Sequence, residues 1–237
     1  MKPNERIILR ACEIIGVPEY FLYDDHTPPA QPESRGRIYR HIPFQWDLSE
    51  APTQLSARCI VSGKGEFSLQ LRGEPDHVDL RLSITNHQRV AMGPVEWAFC
   101  VIAKEARSLD FTDYRQALMH DGERFVDFAS LRVDNQQTLV RVSGANDFVP
   151  AIHSHLALSP VRAKASLTVI ESPQQDACVA VAFEQSYISF CCTQNGCFHA
   201  DPFFGEIGPG ETKRVRGKLY FVAGDRDEVY RRYCEDF

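Results

Sequence analysis

The sequence predicts an all-β protein, a large antiparallel β-sandwich with short N- and C-terminal helices. Three observations carry that expectation. In HVDLRLSITN, Val78, Leu80, Leu82 and Ile84 fall on one face and Asp79, Arg81, Ser83 and Thr85 on the other, the period-two pattern of a strand with one buried side. Similar segments recur through most of the chain with little helical patterning between them. The chain has 237 residues, 43% of them hydrophobic, which is enough to fill a core between two sheets.

In chain order, ERIILRACEII (residues 5–15) reads as a short helix that Gly16 and Pro18 would stop. The proline- and charge-rich YDDHTPPAQPESRGR then reads as a loop or arm, so that residues 1–36 form an N-terminal helix and arm. GEFSLQLRG alternates Phe67, Leu69 and Leu71 against polar neighbours, and Asn86 opens a turn after the next strand. VEWAFCVIA (95–103) is continuously apolar and reads as a strand covered on both sides, with Trp97 in the core. Residues 113–120, DYRQALMH, fit one or two helical turns, and DGERFVDFASL after them fits a hairpin edge. TLVRVSG, KASLTVIES, ACVAVAFEQ, YISFCC and TKRVRGKLYFVAG supply further strands. Residues 225–237 read as a helix capped by Asp225, with Val229, Tyr233 and Phe237 packing down. No internal repeat or composition break divides the chain, so residues 1–237 are expected to form a single sandwich domain.

The net charge of −6 and the lack of a long basic run argue against nucleic acid or an anionic membrane surface as partner. No apolar run approaches a membrane span. The first residues, MKPNERIILRACEIIGVPEYF, space their charges too closely for a secretion signal, which predicts a cytoplasmic location, or a secreted or periplasmic one if a signal was removed. GxGxxG, Walker, HExxH, GxSxG and DxDxDG motifs are all missing, which disfavours nucleotide cofactors and the common hydrolase sites. Eight cysteines over this length are not a disulfide scaffold. Cys12, Cys59, Cys100 and Cys178 sit singly among apolar residues as buried thiols would. CCTQNGC (Cys191, Cys192, Cys197) is one half of a zinc-type spacing, and leaves structural thiols or metal or redox chemistry open.

VDLRLSITNHQ, an alternating strand ending in an Asn-led turn, resembles the central strand of the aldose-epimerase-like (galactose mutarotase-like) sandwich proteins, and PGET before the last long strand is common in bacterial sandwich proteins. The resemblance covers mainly residues 60–222. That family uses a histidine pair and a glutamate around the sugar ring. These do not map residue by residue onto this chain, so the resemblance implies a fold class and a carbohydrate-like ligand rather than a reaction.

Candidate site residues follow from scarce residue types. CFHADPFFGEIGPGET places Cys197, His199 and Asp201 within five residues, followed by Phe203, Phe204 and a Gly-Pro-Gly turn. His199 and Asp201 either line a pocket walled by Phe203 and Phe204, or Asp201 bonds backbone amides beside a turn. His153 and His155, two apart, would share one strand face and could flank a substrate or hold a divalent metal; otherwise they are a solvent-facing pair, and no other cofactor is expected. Glu96, beside Trp97, and Glu184, at the end of ACVAVAFE, are further carboxylates for acid–base work. Arg37, Arg40, His41 and Trp46 make a candidate substrate-binding group: arginines for a carboxylate or phosphate, and Trp46 as a stacking platform or a core residue. Together these predict a carbohydrate-active protein that binds or acts on a sugar or uronic-acid-like ligand by histidine–carboxylate chemistry of epimerase, lyase or glycosidase type. A non-catalytic carbohydrate-binding or accessory module and a structural or assembly protein are the alternatives. The expected partner is a small carbohydrate or sugar acid, with a homo-oligomer open.

Overall fold

The computed structural model describes residues 5–17, 20–23, 38–41, 44–49, 52–111, 114–131, 137–143 and 158–237. Two large sheets face one another. Sheet A runs, edge to edge, β12 (Leu158–Ala163), β11 (Gln137–Val142), β15 (Ser186–Cys192), β16 (Cys197–Ile207), β8 (Met92–Ile102), β1 (Ile8–Val17), β2 (Tyr20–Tyr23) and β3 (Ile38–His41). Sheet B runs β10 (Phe125–Asp127), β9 (Ala117–His120), β13 (Leu167–Glu171), β14 (Cys178–Phe183), β17 (Thr212–Val222), β7 (His77–Asn86), β6 (Gly65–Gly73), β5 (Gln54–Val61) and β4 (Gln45–Asp47). Neighbours are antiparallel except β11 with β12 and β2 with β3, both toward the edges of sheet A.

The core lies between the sheets, where alternation placed it. Leu80, Leu82 and Ile84 of β7 are buried and Val78 packs against the same cluster. Val95, Trp97, Phe99 and Val101 face them from β8, with Phe198, Ala200 and Phe204 from β16. Phe99 meets Phe183 of sheet B edge-on, with ring centroids 5.1 Å apart. Strand β8 is buried along both faces, as its unbroken apolar run predicts.

Two helical expectations are corrected. Residues 5–15 do not form a helix: Ile8–Val17 is strand β1, laid between β8 and β2. The apolar spacing fits either period. Pairing with β8, and the hydrogen bond that the buried Trp97 Nε1 donates to the Ala11 carbonyl at 2.7 Å, decide for the strand. Part of the expected arm, Tyr20–Tyr23, is strand β2. Within 113–120, Ala117–His120 is strand β9, because it fills the place between β13 and the β10 hairpin partner. The C-terminal helix is found as read: α1 (Arg226–Asp236) is capped by Asp225, whose carboxylate accepts from the amides of Asp227 and Glu228 at 3.1 Å each. It lies on the outer side of sheet B, where Val229 is buried and Tyr230 stacks on His120 at 3.9 Å. Arg232 pairs with Asp76 at 2.6 Å and Lys218 with Asp236 at 2.8 Å. Among the described residues no helix is long and apolar enough to cross a membrane.

Gly217 is required by close packing: a Cβ there would collide with the Phe183 ring and stand 2.7 Å from the Ala182 carbonyl. Gly217→Ala is expected to cost about 1–3 kcal/mol, as overpacking does. Gly210→Ala, in open space at φ +70°, should cost about 1–2 kcal/mol through backbone strain alone. Urea denaturation with far-ultraviolet circular dichroism checks both. His77 and Arg232 hold the Asp76 carboxyl down at about 2. A depressed carboxylate contributes stability that is present above its unfolded pKa of about 3.9 and is lost as pH falls through the folded value. The melting temperature should therefore decline between about pH 4 and pH 2, and Asp76→Asn should make that decline shallower in acid melts.

Candidate functional site

CFHADPFF is not a loop. It is the first part of β16, in the middle of sheet A between β15 and β8. Alternation sends Phe198, Ala200 and Phe204 into the core and Cys197, His199, Asp201 and Phe203 to the other face of the sheet. That outward face is itself covered: His199 is 2% exposed and Asp201 0%.

Two backbone irregularities shape the face. Between β16 and β8, pairing lapses over Ala200–Pro202 opposite Trp97–Phe99, although His199↔Cys100 and Phe203↔Glu96 flank the gap with equal lengths of chain. Pro202 has no N–H to give the ladder. The Asp201 carboxylate enters the gap and accepts the Phe99 amide at 2.8 Å. On the other side, the β15 register shifts between Ser186↔Pro202 and Ile188↔Asp201, so that Tyr187 is the extra residue of a bulge. The bulge turns Tyr187 outward with Ile188, and its hydroxyl donates to Asp201 Oδ2 at 3.4 Å.

His199 completes the group, with Nδ1 at 3.1 Å from Asp201 Oδ1 and its ring edge-on to Phe190 at 4.9 Å. Its backbone is fixed from the opposite sheet: the Thr168 hydroxyl crosses the core to donate to the His199 carbonyl at 2.6 Å and is also bonded to Ser189. Burial opposes a charge on the imidazole. The negative charge of the Asp201 carboxylate, and the hydrogen bonds His199 makes with Asp201 and Cys197, outweigh it, and the His199 pKa stands well above its ordinary value. Burial, then the charges of Asp201 and Glu96, push the Tyr187 phenol well up, so it stays a neutral donor. Glu96 lies on the same outward face of β8, 2% exposed, opposite Phe203 in the register. The arrangement is an imidazole, a phenol and two carboxyl groups on three adjacent strands.

The structure thus brings His199, Asp201, Glu96 and Phe203 to one face, with Phe203 6.2 Å from the Tyr187 ring. Other expected residues lie elsewhere. Phe204 is in the core, stacked with Trp97 at 6.0 Å, because it falls one residue out of phase with Phe203. Glu184 leaves β14 in sheet B and bonds the Arg216 backbone at 2.9 Å and guanidinium at 3.0 Å. Trp46 is 46% exposed on edge strand β4 of sheet B, and Arg40 and His41 lie on edge strand β3 of sheet A. Arg37, His153 and His155 lie outside the described residues. Tyr187 carried no signal in the sequence, because a bulge leaves none in YISFCC. Among the described residues, the side chains able to hold a metal are Cys100, Cys197 and His199, whose ligand atoms all lie within 4.8 Å of one another.

No protein-family model matches the sequence, and no curated protein matches it. Solved structures show a distant likeness. A putative aldose 1-epimerase from Klebsiella pneumoniae is 10% identical, with a TM-score of 0.44 over 97% of this chain and 65% of that one. A putative aldose 1-epimerase from Escherichia coli is 11% identical, with a TM-score of 0.39 over 76% and 68%. A galactose mutarotase related enzyme from Lactobacillus acidophilus is 8% identical, with a TM-score of 0.40 over 79% and 73%.

Because Asp201 supplies the acceptor for a buried backbone amide, its removal should be costly whatever else it does. Asp201→Ala is expected to lose about 1–3 kcal/mol by leaving the Phe99 N–H unsatisfied, whereas Asp201→Asn keeps an acceptor oxygen and most of the stability. Equilibrium urea unfolding of the two variants gives the comparison.

Proposed function

We propose that the outward face of sheet A is an acid–base site for a small sugar or sugar acid. The observation that supports this most is the convergence on Asp201: one buried carboxylate holds a charged imidazole by Nδ1 and a neutral phenol by its hydroxyl. With Nδ1 committed, Nε2 is the nitrogen that exchanges its proton with a ligand. His199 donates a proton to the sugar ring oxygen while Glu96 takes one from a hydroxyl, and the ring opens; the reverse transfers close it on either face. The Tyr187 hydroxyl, whose proton goes to Asp201, accepts a hydrogen bond from a ligand hydroxyl, and the Phe203 ring offers an apolar surface to sugar C–H groups. Asp201 is a positioning residue, since it acts through His199. The reading rests on these residues rather than on the distant structural likenesses.

Proton spectroscopy of aldoses and uronic acids in deuterated buffer tests it, because anomer exchange and loss of carbon-bound protons are read in one experiment. The full chain should accelerate exchange in at least one sugar. His199→Gln should lower the rate by about 10²–10⁴-fold, the usual contribution of a positioned acid, with the melting temperature nearly unchanged. A variant that unfolds, or one that retains the wild-type rate, would show His199 to be a packing residue.

A further inference from the structure

The acid–base reading leaves two side chains of the same face without a part. Cys100 and Cys197 are 2% and 5% exposed, and neither is in a disulfide. Cys197 and His199 alternate along β16, and Cys100 stands directly opposite His199 on β8. Their three donor atoms lie within 4.8 Å of one another. In a tetrahedral zinc site with metal–sulfur bonds of about 2.3 Å and metal–nitrogen bonds of about 2.0 Å, donor atoms stand roughly 3.5–3.8 Å apart. The two sets of distances differ by about 1 Å.

Two soft sulfurs and one imidazole favour a thiophilic ion over calcium or magnesium, which take oxygen donors. A further feature matches a metal centre: Asp201 bonds Nδ1 of His199, the outer carboxylate that orients a ligating histidine and leaves Nε2 to the ion. We propose that Cys100, Cys197 and Nε2 of His199 form a binding site for a thiophilic divalent ion of the zinc class, with the fourth position open to water. Cys192, opposite Cys197 on β15 and hydrogen-bonded to its thiol, is two strands from Cys100 and lies outside the group of three. Binding displaces the thiol protons and the Nε2 proton and returns them to solvent. An occupied site therefore has no proton on His199 to donate, and the ion inhibits proton transfer. That last consequence rests on the function proposed above; the site itself does not.

Cobalt(II) titration of the chelator-treated full chain tests the site without reference to activity. One ion per chain should bind, with a thiolate-to-cobalt charge-transfer band and the visible bands of a tetrahedral ion, and zinc should displace it. Cys100→Ser and Cys197→Ser should each abolish the charge-transfer band or weaken binding at least tenfold, while Cys192→Ser should not. Asp201→Asn, which keeps the backbone bond, should weaken binding by about 10–100-fold, and so tests the site should a cysteine variant fail to fold. Absence of the band at saturating cobalt, or a band unchanged in both cysteine variants, overturns the proposal. A normal band with sugar exchange unaffected by zinc would leave the site standing and remove His199 from proton transfer.

Discussion

The hydrogen bond from the Phe99 amide to the Asp201 carboxylate closes a gap at the centre of sheet A, and the rest of the outward face is built around it. Strand pairing lapses between His199↔Cys100 and Phe203↔Glu96, so the buried Phe99 amide needs an acceptor from outside the ladder where the two most central strands part. A carboxylate serves, but a carboxylate with no solvent exposure carries a desolvation cost of several kcal/mol, about that of any buried ion. Further donors have to offset it. His199 supplies one as a cation and Tyr187 another as a neutral phenol. Each follows from a separate backbone device: His199 from simple alternation two residues before Asp201, Tyr187 from a bulge in the neighbouring strand.

This arrangement breaks local rules where a sandwich could easily keep them. A proline interrupts a central strand, a bulge disturbs the strand beside it, and ionisable groups stand where apolar side chains would pack well. Such departures concentrate at functional sites, since packing alone does not call for them. The opposite sheet contributes as well. Thr168 reaches through the apolar layer to the His199 carbonyl, so the imidazole is fixed through its own backbone by sheet B and through its ring by Asp201. The proton transfer and the metal binding proposed above would both use Nε2 of His199, so the two proposals exclude one another at that atom.

What was legible in the sequence was what a single period expresses. Leu80, Leu82 and Ile84 announced the buried face of β7, and Asp225 with Val229 announced the last helix and its packing side. Residues 5–15 read as helical because their apolar spacing suits both periods, and only the pairing of Ile8–Val17 with β8 settles it. His199, Asp201 and Glu96 could be picked out as unexpected polar residues in apolar surroundings. Their meeting could not be read, because it depends on the His199↔Cys100 and Phe203↔Glu96 registers between strands a hundred residues apart in sequence. Tyr187 was invisible for a stricter reason, since a bulge changes which face a residue occupies without changing its neighbours in the chain. Phe203 and Phe204 looked equivalent in the sequence, and the one-residue phase of a strand separates them into site and core.

The central claim is that Asp201 holds His199 as a charged, oriented imidazole inside the sheet. Nitrogen-15 spectroscopy of histidine-labelled protein at neutral pH measures that directly, with His199→Gln used to assign the signal. The account predicts that both ring nitrogens of His199 carry protons, and that the Nδ1 proton is shielded from exchange with water and shifted in Asp201→Asn. A neutral His199 with an unprotonated Nδ1, or a ring signal indifferent to the Asp201 substitution, would contradict it.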